Sequence, residues 1–224
     1  AADKVQRVTM ELSGHAPFIV HEDANIDKAV DMAMLAKYRN TGQVCISPSR
    51  FYIHESKKDL FTKLYVEKTN TLKLGPGIDP ANDIGPISTE KRLNEIEALV
   101  AKTKEEGAKI LCGGKRSSKF NKGYFFEPTV FDDVEDDFEI MTTEPFGPLS
   151  PILSFKNFED VISLFLEEEA CIQVENSDEL YDSCKKLIFD EELRQNMVDN
   201  AYKVVENNRG SMEKQYNYLK KYLN

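Results

Sequence analysis

Short apolar runs alternate with amphipathic helical stretches through residues 1–156, and this alternation narrows the possible folds more than any other feature. Val8 to Leu12 and Phe18 to Val20 read as strands. Ile26 to Tyr38 reads as a helix, with Ile26, Ala29, Val30, Ala33, Met34 and Lys37 falling on one face at i, i+3, i+4 spacing. Arg50 to His54 is strand-like by its aromatic and β-branched content. Lys57 to Leu72 is a second helix, and Gly75-Pro76-Gly77 with Asp79-Pro80 marks a loop. A third helix spans Ser88 to Glu106, begun by a Ser/Thr cap and ended by Gly107. Lys109 to Cys112, Phe125 to Val130 and Pro151 to Phe155 complete the strands. Helices placed between strands predict an α/β fold: a mainly parallel sheet, right-handed crossovers and flanking helices.

Near residue 157 the texture changes. All nine prolines and all but one of the eleven glycines lie before it. Residues 157–224 carry 8 Lys+Arg against 15 Asp+Glu, a net of 8 − 15 = −7, and the remainder carries 21 − 24 = −3. Two segments are expected, 1–156 and 157–224. The second is predicted to be mostly helical: a helix from Phe158 to about Glu169, then a strand over Cys171-Ile172-Gln173-Val174. A helix capped by Ser177 runs to Phe189, one capped by Asp190 runs to about Asn208, and a last one spans Arg209 to Leu223. A net charge of −10 argues against nucleic acid as a partner, because phosphate contacts need clustered Lys and Arg. No apolar run approaches the roughly 18 residues of a membrane-spanning helix, and no signal peptide is visible. The four cysteines, Cys45, Cys112, Cys171 and Cys184, form no CxxC pair, and only three histidines are present. Neither a disulfide framework nor a metal site is expected, and the cytoplasm is the default location.

The stretch with most chemical content is Asn40-Thr41-Gly42-Gln43-Val44-Cys45-Ile46-Ser47-Pro48-Ser49-Arg50, a cysteine in a Gly-containing loop between a helix and a strand. A thiol at the end of a sheet, close to backbone N–H donors, can serve as a nucleophile toward a carbonyl carbon. The plain alternative is a buried cysteine acting as a small hydrophobe.

This stretch resembles the catalytic loop of the aldehyde dehydrogenase superfamily, and three others match that family in the same order. Val8-Thr9-Met10-Glu11-Leu12-Ser13-Gly14-His15-Ala16-Pro17 looks like its glutamate motif, Asp23 to Val30 like the following helix start, and Glu144-Pro145-Phe146-Gly147-Pro148 like its later cofactor-contacting turn. The likeness covers about residues 5–156, and the wording from Gly42 to Arg50 is most similar to the succinate-semialdehyde branch. The resemblance implies that Cys45 is the nucleophile, Glu11 the general base, and the Cys45 N–H an oxyanion donor. It implies that Glu144 contacts the nicotinamide ribose of NAD or NADP, and that Phe146 packs near the ring. It further implies an aldehyde substrate, and faces that pack against the cofactor domain and partner subunits in the family would be exposed here, apolar patches that favour self-association as a homo-oligomer. One departure is Ser13, where the family usually has glycine, which reduces the backbone freedom beside Glu11. The family's cofactor domain lies upstream of the glutamate motif, so most of the NAD(P) site is expected outside this chain.

In the second segment, Ala170 to Val174, Glu179-Leu180, Asp190 to Arg194, Asn200-Ala201 and Asn208-Arg209-Gly210 resemble the C-terminal end of 3-deoxy-D-manno-octulosonic acid (Kdo) transferases, glycosyltransferases of the GT-B fold. The expectation is an internal piece of one enzyme joined to the end of another. Two further readings stand beside aldehyde oxidation: a Kdo transferase fragment, or a non-catalytic chimeric remnant.

Overall fold

The computed structural model describes residues 14–157, 172, 174 and 176–207. The chain divides into two compact units between Phe155 and Lys156. The first is built on a five-stranded sheet: β1 (Ala16–Val20), β2 (Pro48–His54), β3 (Lys109–Cys112), β4 (Thr129–Asp132) and β5 (Leu149–Phe155). Their order across the sheet is β1-β2-β5-β4-β3. Four strands run parallel, and β3 is an antiparallel edge paired with β4. The mainly parallel α/β sheet read from the alternation is thus the one found.

Its helices begin and end where side chains satisfy orphan backbone groups. Helix α1 (Ile26–Tyr38) is capped by Asn25, whose side chain accepts the Lys28 N–H at 3.1 Å. Helix α2 (Glu55–Thr71) follows β2 directly, with the His54 ring accepting from the Ser56 N–H. Helix α3 (Glu90–Glu106) is capped by Thr89 and stops at Gly107, whose φ of 120° suits a residue without Cβ. A one-turn helix, α4 (Glu139–Thr142), was not anticipated from the periodicity, which a single turn cannot display.

Strand alternation splits the core into two layers. On β4, Phe131 joins Leu93, Ile96 and Val100 of α3, whereas its neighbour Val130 faces Val30 and Ala33 of α1 and Phe61 and Tyr65 of α2. On β5, Leu149 and Leu153 share the first layer and Ile152 the second. Both faces of the sheet are therefore covered, the usual condition of parallel strands.

One strand needs correction. The run Phe125 to Val130 is not a strand throughout: β4 starts at Thr129, and upstream only an isolated bridge joins Phe126 to Arg116. Pro128 carries no N–H for a ladder, so pairing starts after it. The strand expected over Val8 to Leu12 lies outside the described residues.

The second unit contributes helices α5 (Ser177–Phe189) and α6 (Glu191–Asn207). The cap of α5 is Asn176, which accepts from the N–H groups of Asp178 and Glu179, and Ser177 is the first helical residue. Asn176 holds the extended backbone of a cap, φ −151° and ψ 174°, so the helix starts one residue after it. Asp190 caps α6 through the Leu193 N–H. The helices expected over Phe158 to Glu169 and Arg209 to Leu223, and all but Ile172 and Val174 of the expected strand, lie outside the described residues. Among the described residues no helix is long and apolar enough to cross a membrane.

Candidate active site

Three successive residues at the end of α1 take left-handed backbone: Asn40 at φ 50°, Thr41 at φ 59° and Gly42 at φ 73°. Asparagine and glycine accept this conformation, but a β-branched threonine rarely does. Such strain costs about 1–3 kcal/mol per residue and persists only where neighbours over-determine it. Here they do. The Thr41 hydroxyl donates to the Gly85 carbonyl and accepts the Gly85 N–H, each at 3.1 Å. Gln43 accepts from the Ser88 N–H at 2.8 Å and donates to the Pro86 carbonyl at 3.3 Å. Asn40 donates to the Gln43 carbonyl, and Ser47 Oγ donates to the carbonyl of Lys37 at 3.3 Å.

This clamped loop carries Cys45 at an exposed position. Cys45 is therefore not a buried small hydrophobe. Cys112 differs: it is half-buried, and burial pushes its thiol up from the ordinary value.

Glycines mark where the quoted motifs meet. A Cβ on Gly14 would stand 2.1 Å from the Cys45 carbonyl oxygen, and one on Gly42 would stand 2.2 Å from the Gly147 carbonyl oxygen. The glutamate motif at Gly14, the cysteine loop and the later turn thus meet backbone to backbone, Gly14 against Cys45 and Gly42 against Gly147, although Gly14 and Gly147 are 147 − 14 = 133 positions apart. Glu11 itself lies outside the described residues.

Glu144 and Phe146 both project from that later turn. Glu144 is half-buried; desolvation raises its carboxyl, opposed by the Gly14 N–H and by the charges of Arg92 and Lys37. Phe146 takes φ 37°, and the Arg92 guanidinium lies 5.7 Å from its ring centroid, a cation–π contact.

Two groups escaped sequence reasoning. Lys37 was read only as a member of the helix stripe, yet it is 1 % exposed, and burial drives its ammonium down to about 7, with Glu144 pulling the other way. A lysine in an apolar register was the available signal. His15 was read only as part of a motif. Its Nε2 lies 2.8 Å from the Met141 carbonyl, which can only accept, so Nε2 carries the proton. Nδ1 is then the acceptor for the Ser49 hydroxyl at 2.6 Å. This clasp joins β1, β2 and α4 behind the cysteine loop.

Burial first, then Arg50, lower the His15 pKa from 6.5 to about 4. Between these values the unfolded chain binds more protons, so stability rises with pH across that window and is lost as pH falls through it. After allowance for partial exposure the effect is about 2 kcal/mol. Thermal melts of the parent chain are expected to fall more steeply from pH 7 to pH 4.5 than those of His15→Gln. Equal slopes would contradict the clasp.

The sequence profile of the aldehyde dehydrogenase family matches residues 1–171. The chain is 40% identical over 171 residues to a 3,6-anhydro-alpha-L-galactose dehydrogenase of Vibrio sp. strain EJY3, covering 75% of this chain and 36% of that protein. It is 39% identical over 162 residues to a succinate-semialdehyde dehydrogenase [NADP(+)] of Escherichia coli K12, covering 72% and 33%. Among solved structures, succinate-semialdehyde dehydrogenase from Burkholderia pseudomallei superposes with a TM-score of 0.67 at 38% identity, covering 72% of this chain and 33% of that one. The chain thus spans about a third of the length of these relatives.

Proposed function

Because the chain belongs to the aldehyde dehydrogenase family, we propose that it serves NAD(P)-dependent oxidation of an aldehyde, of the succinate-semialdehyde type, to a carboxylate through a thioester on Cys45. The observation that carries this reading is the exposed thiol on a strained, fully clamped loop, in backbone contact with the glutamate motif and with the Glu144–Phe146 turn.

In this reading the Cys45 sulfur adds to the aldehyde carbonyl, and its backbone N–H donates to the oxygen that becomes negative. The resulting thiohemiacetal loses hydride and becomes a thioester. NAD(P)+, when bound, supplies the hydride acceptor. Glu11 removes the proton from the water that then cleaves the thioester, returning a free thiol and the carboxylate. The turn suits the nucleotide: Glu144 offers a half-buried carboxylate to ribose hydroxyls, and Phe146 offers an aromatic surface nearby. For residues 157–224, the Kdo transferase reading rests on the motifs quoted above. A cytoplasmic setting goes with the proposal.

The test is formation of reduced nicotinamide from succinic semialdehyde with NAD+ or NADP+, for the parent chain and for Cys45→Ala. Because most of the NAD(P) site is expected outside this chain, formation is expected to be slow, and what formation there is to depend on Cys45. Equal formation by both proteins would remove the proposal.

A further inference from the structure

Helix α5 presents an apolar stripe that is open among the described residues. Leu180 is 52 % exposed and Ile188 68 %, and no residue of the helix is buried. Leu180, Cys184 and Ile188 follow one another at i, i+4 spacing on one face, with Cys184 exposed at the middle. Arg194 on α6 donates to the carbonyls of Leu187 and Ile188, at 2.6 and 3.2 Å, so the two helices are tied at the end of α5 while the stripe stays uncovered. Thirteen residues make a helix that is marginal in water by itself, and burial of its apolar face is what ordinarily holds such a helix.

Charge selects the cover. Residues 176–207 carry 4 Lys+Arg against 8 Asp+Glu, a net of 4 − 8 = −4. A second copy of the helix pair brings the same sign and is repelled. Residues 158–169 carry five Asp+Glu and no Lys or Arg, and are repelled as well. Residues 208–224 carry 4 Lys+Arg against Glu213 alone, a net of 4 − 1 = +3. They also carry the complementary apolar pattern: Met212, Tyr216, Leu219 and Leu223, at spacings of 4, 3 and 4, fall on one face of a helix. Asn207, Asn208 and Gly210, just ahead of them, are turn formers, and a connection of this length suits two neighbouring helices. Residues 211–223 number 223 − 211 + 1 = 13, the length of α5.

We propose that the apolar stripe of α5 is the docking surface for the chain's own C-terminal segment, residues 211–223, laid as a helix along the α5–α6 pair with Leu219 on its inward face. The docking does not depend on the aldehyde reading. The test uses the full chain and a short bis-maleimide, which joins two nearby thiols without any redox step. A cysteine is placed on the apolar face of the segment, Leu219→Cys, or off it, Asn217→Cys. Peptide mass spectrometry then follows the link to Cys184. Docking predicts a link within one chain that forms about tenfold faster from position 219 than from 217, because only the former is held beside the stripe. Equal rates from both positions describe a freely moving tail and overturn the inference. A link that joins two chains and vanishes on dilution assigns the stripe to a second copy and also overturns it. Should Leu219→Cys itself loosen the segment, alkylation of Cys184 by N-ethylmaleimide decides. Lys220→Glu combined with Lys221→Glu changes the segment from +3 to −1, and Cys184 should then react several-fold faster than in the parent chain, with Cys45 as the unchanged reference. An unaltered Cys184 rate overturns the inference.

Discussion

Gly42→Ala is expected to destabilise the chain by about 3 kcal/mol, and to do so at the loop that carries the thiol. Two effects combine. A left-handed φ of 73° costs a residue with Cβ about 1–2 kcal/mol. The added carbon would also stand 2.2 Å from the Gly147 carbonyl oxygen, and a backbone atom cannot rotate away as a side chain can. Relief requires the Gly147 turn or the cysteine loop to move, at a further 1–3 kcal/mol typical of overpacking. For a chain of this size the melting temperature should drop by roughly 10 °C. Gly77→Ala is the matched control, because nothing lies within 4 Å of its Cβ position. Thermal melts of the two variants check this, and equal melting temperatures would show that the loop and the turn are not in contact.

The second large effect concerns Cys45. In cofactor-free hydrolysis of p-nitrophenyl acetate, Cys45→Ala is expected to lose the initial burst of p-nitrophenol, with acyl transfer slowed on the order of 10³-fold or more. Acyl transfer needs a nucleophile and an oxyanion donor but no nicotinamide, so it reports on the loop alone. Cys112 cannot substitute, being half-buried with its thiol pushed up. Cys184 is exposed on α5, in the other unit, so Cys184→Ala is the informative control. Its burst should equal that of the parent chain. A burst that survives Cys45→Ala and disappears in Cys184→Ala would place the reactive thiol in the tail.

Where the fold was legible, local chemistry had written it. The stripe from Ile26 to Lys37 gave α1 its limits, and the Thr89 cap and Gly107 stop gave α3 its limits. Phe125 and Phe126 misled because they are apolar enough for a strand but serve the core from a segment that pairs only at Phe126; the ladder waits for Thr129. The cysteine loop was legible from its wording, which resembles a family motif, but its left-handed backbone was not, since a β-branched residue such as Thr41 rarely adopts it. The groups that surround it were not. The Thr41–Gly85 clamp and the His15–Ser49 clasp join residues 44 and 34 positions apart, and the latter continues to Met141. Arg92 reaches Phe146 from another helix. Such contacts depend on how the strands are ordered in the sheet, which periodicity does not encode. Lys37 is the intermediate case: its register on the helix was readable, but its complete burial was not.

The central claim is that Cys45 sits in an assembled acyl-accepting site. The most direct measurement is acid quench after brief exposure to p-nitrophenyl acetate, followed by peptide mass spectrometry to locate the acetyl group. The account predicts acetylation of Cys45 ahead of Cys112 and Cys184, and its decay as free acetate is released. Acetylation confined to Cys184 or to surface lysines, with Cys45 unmodified, would contradict it.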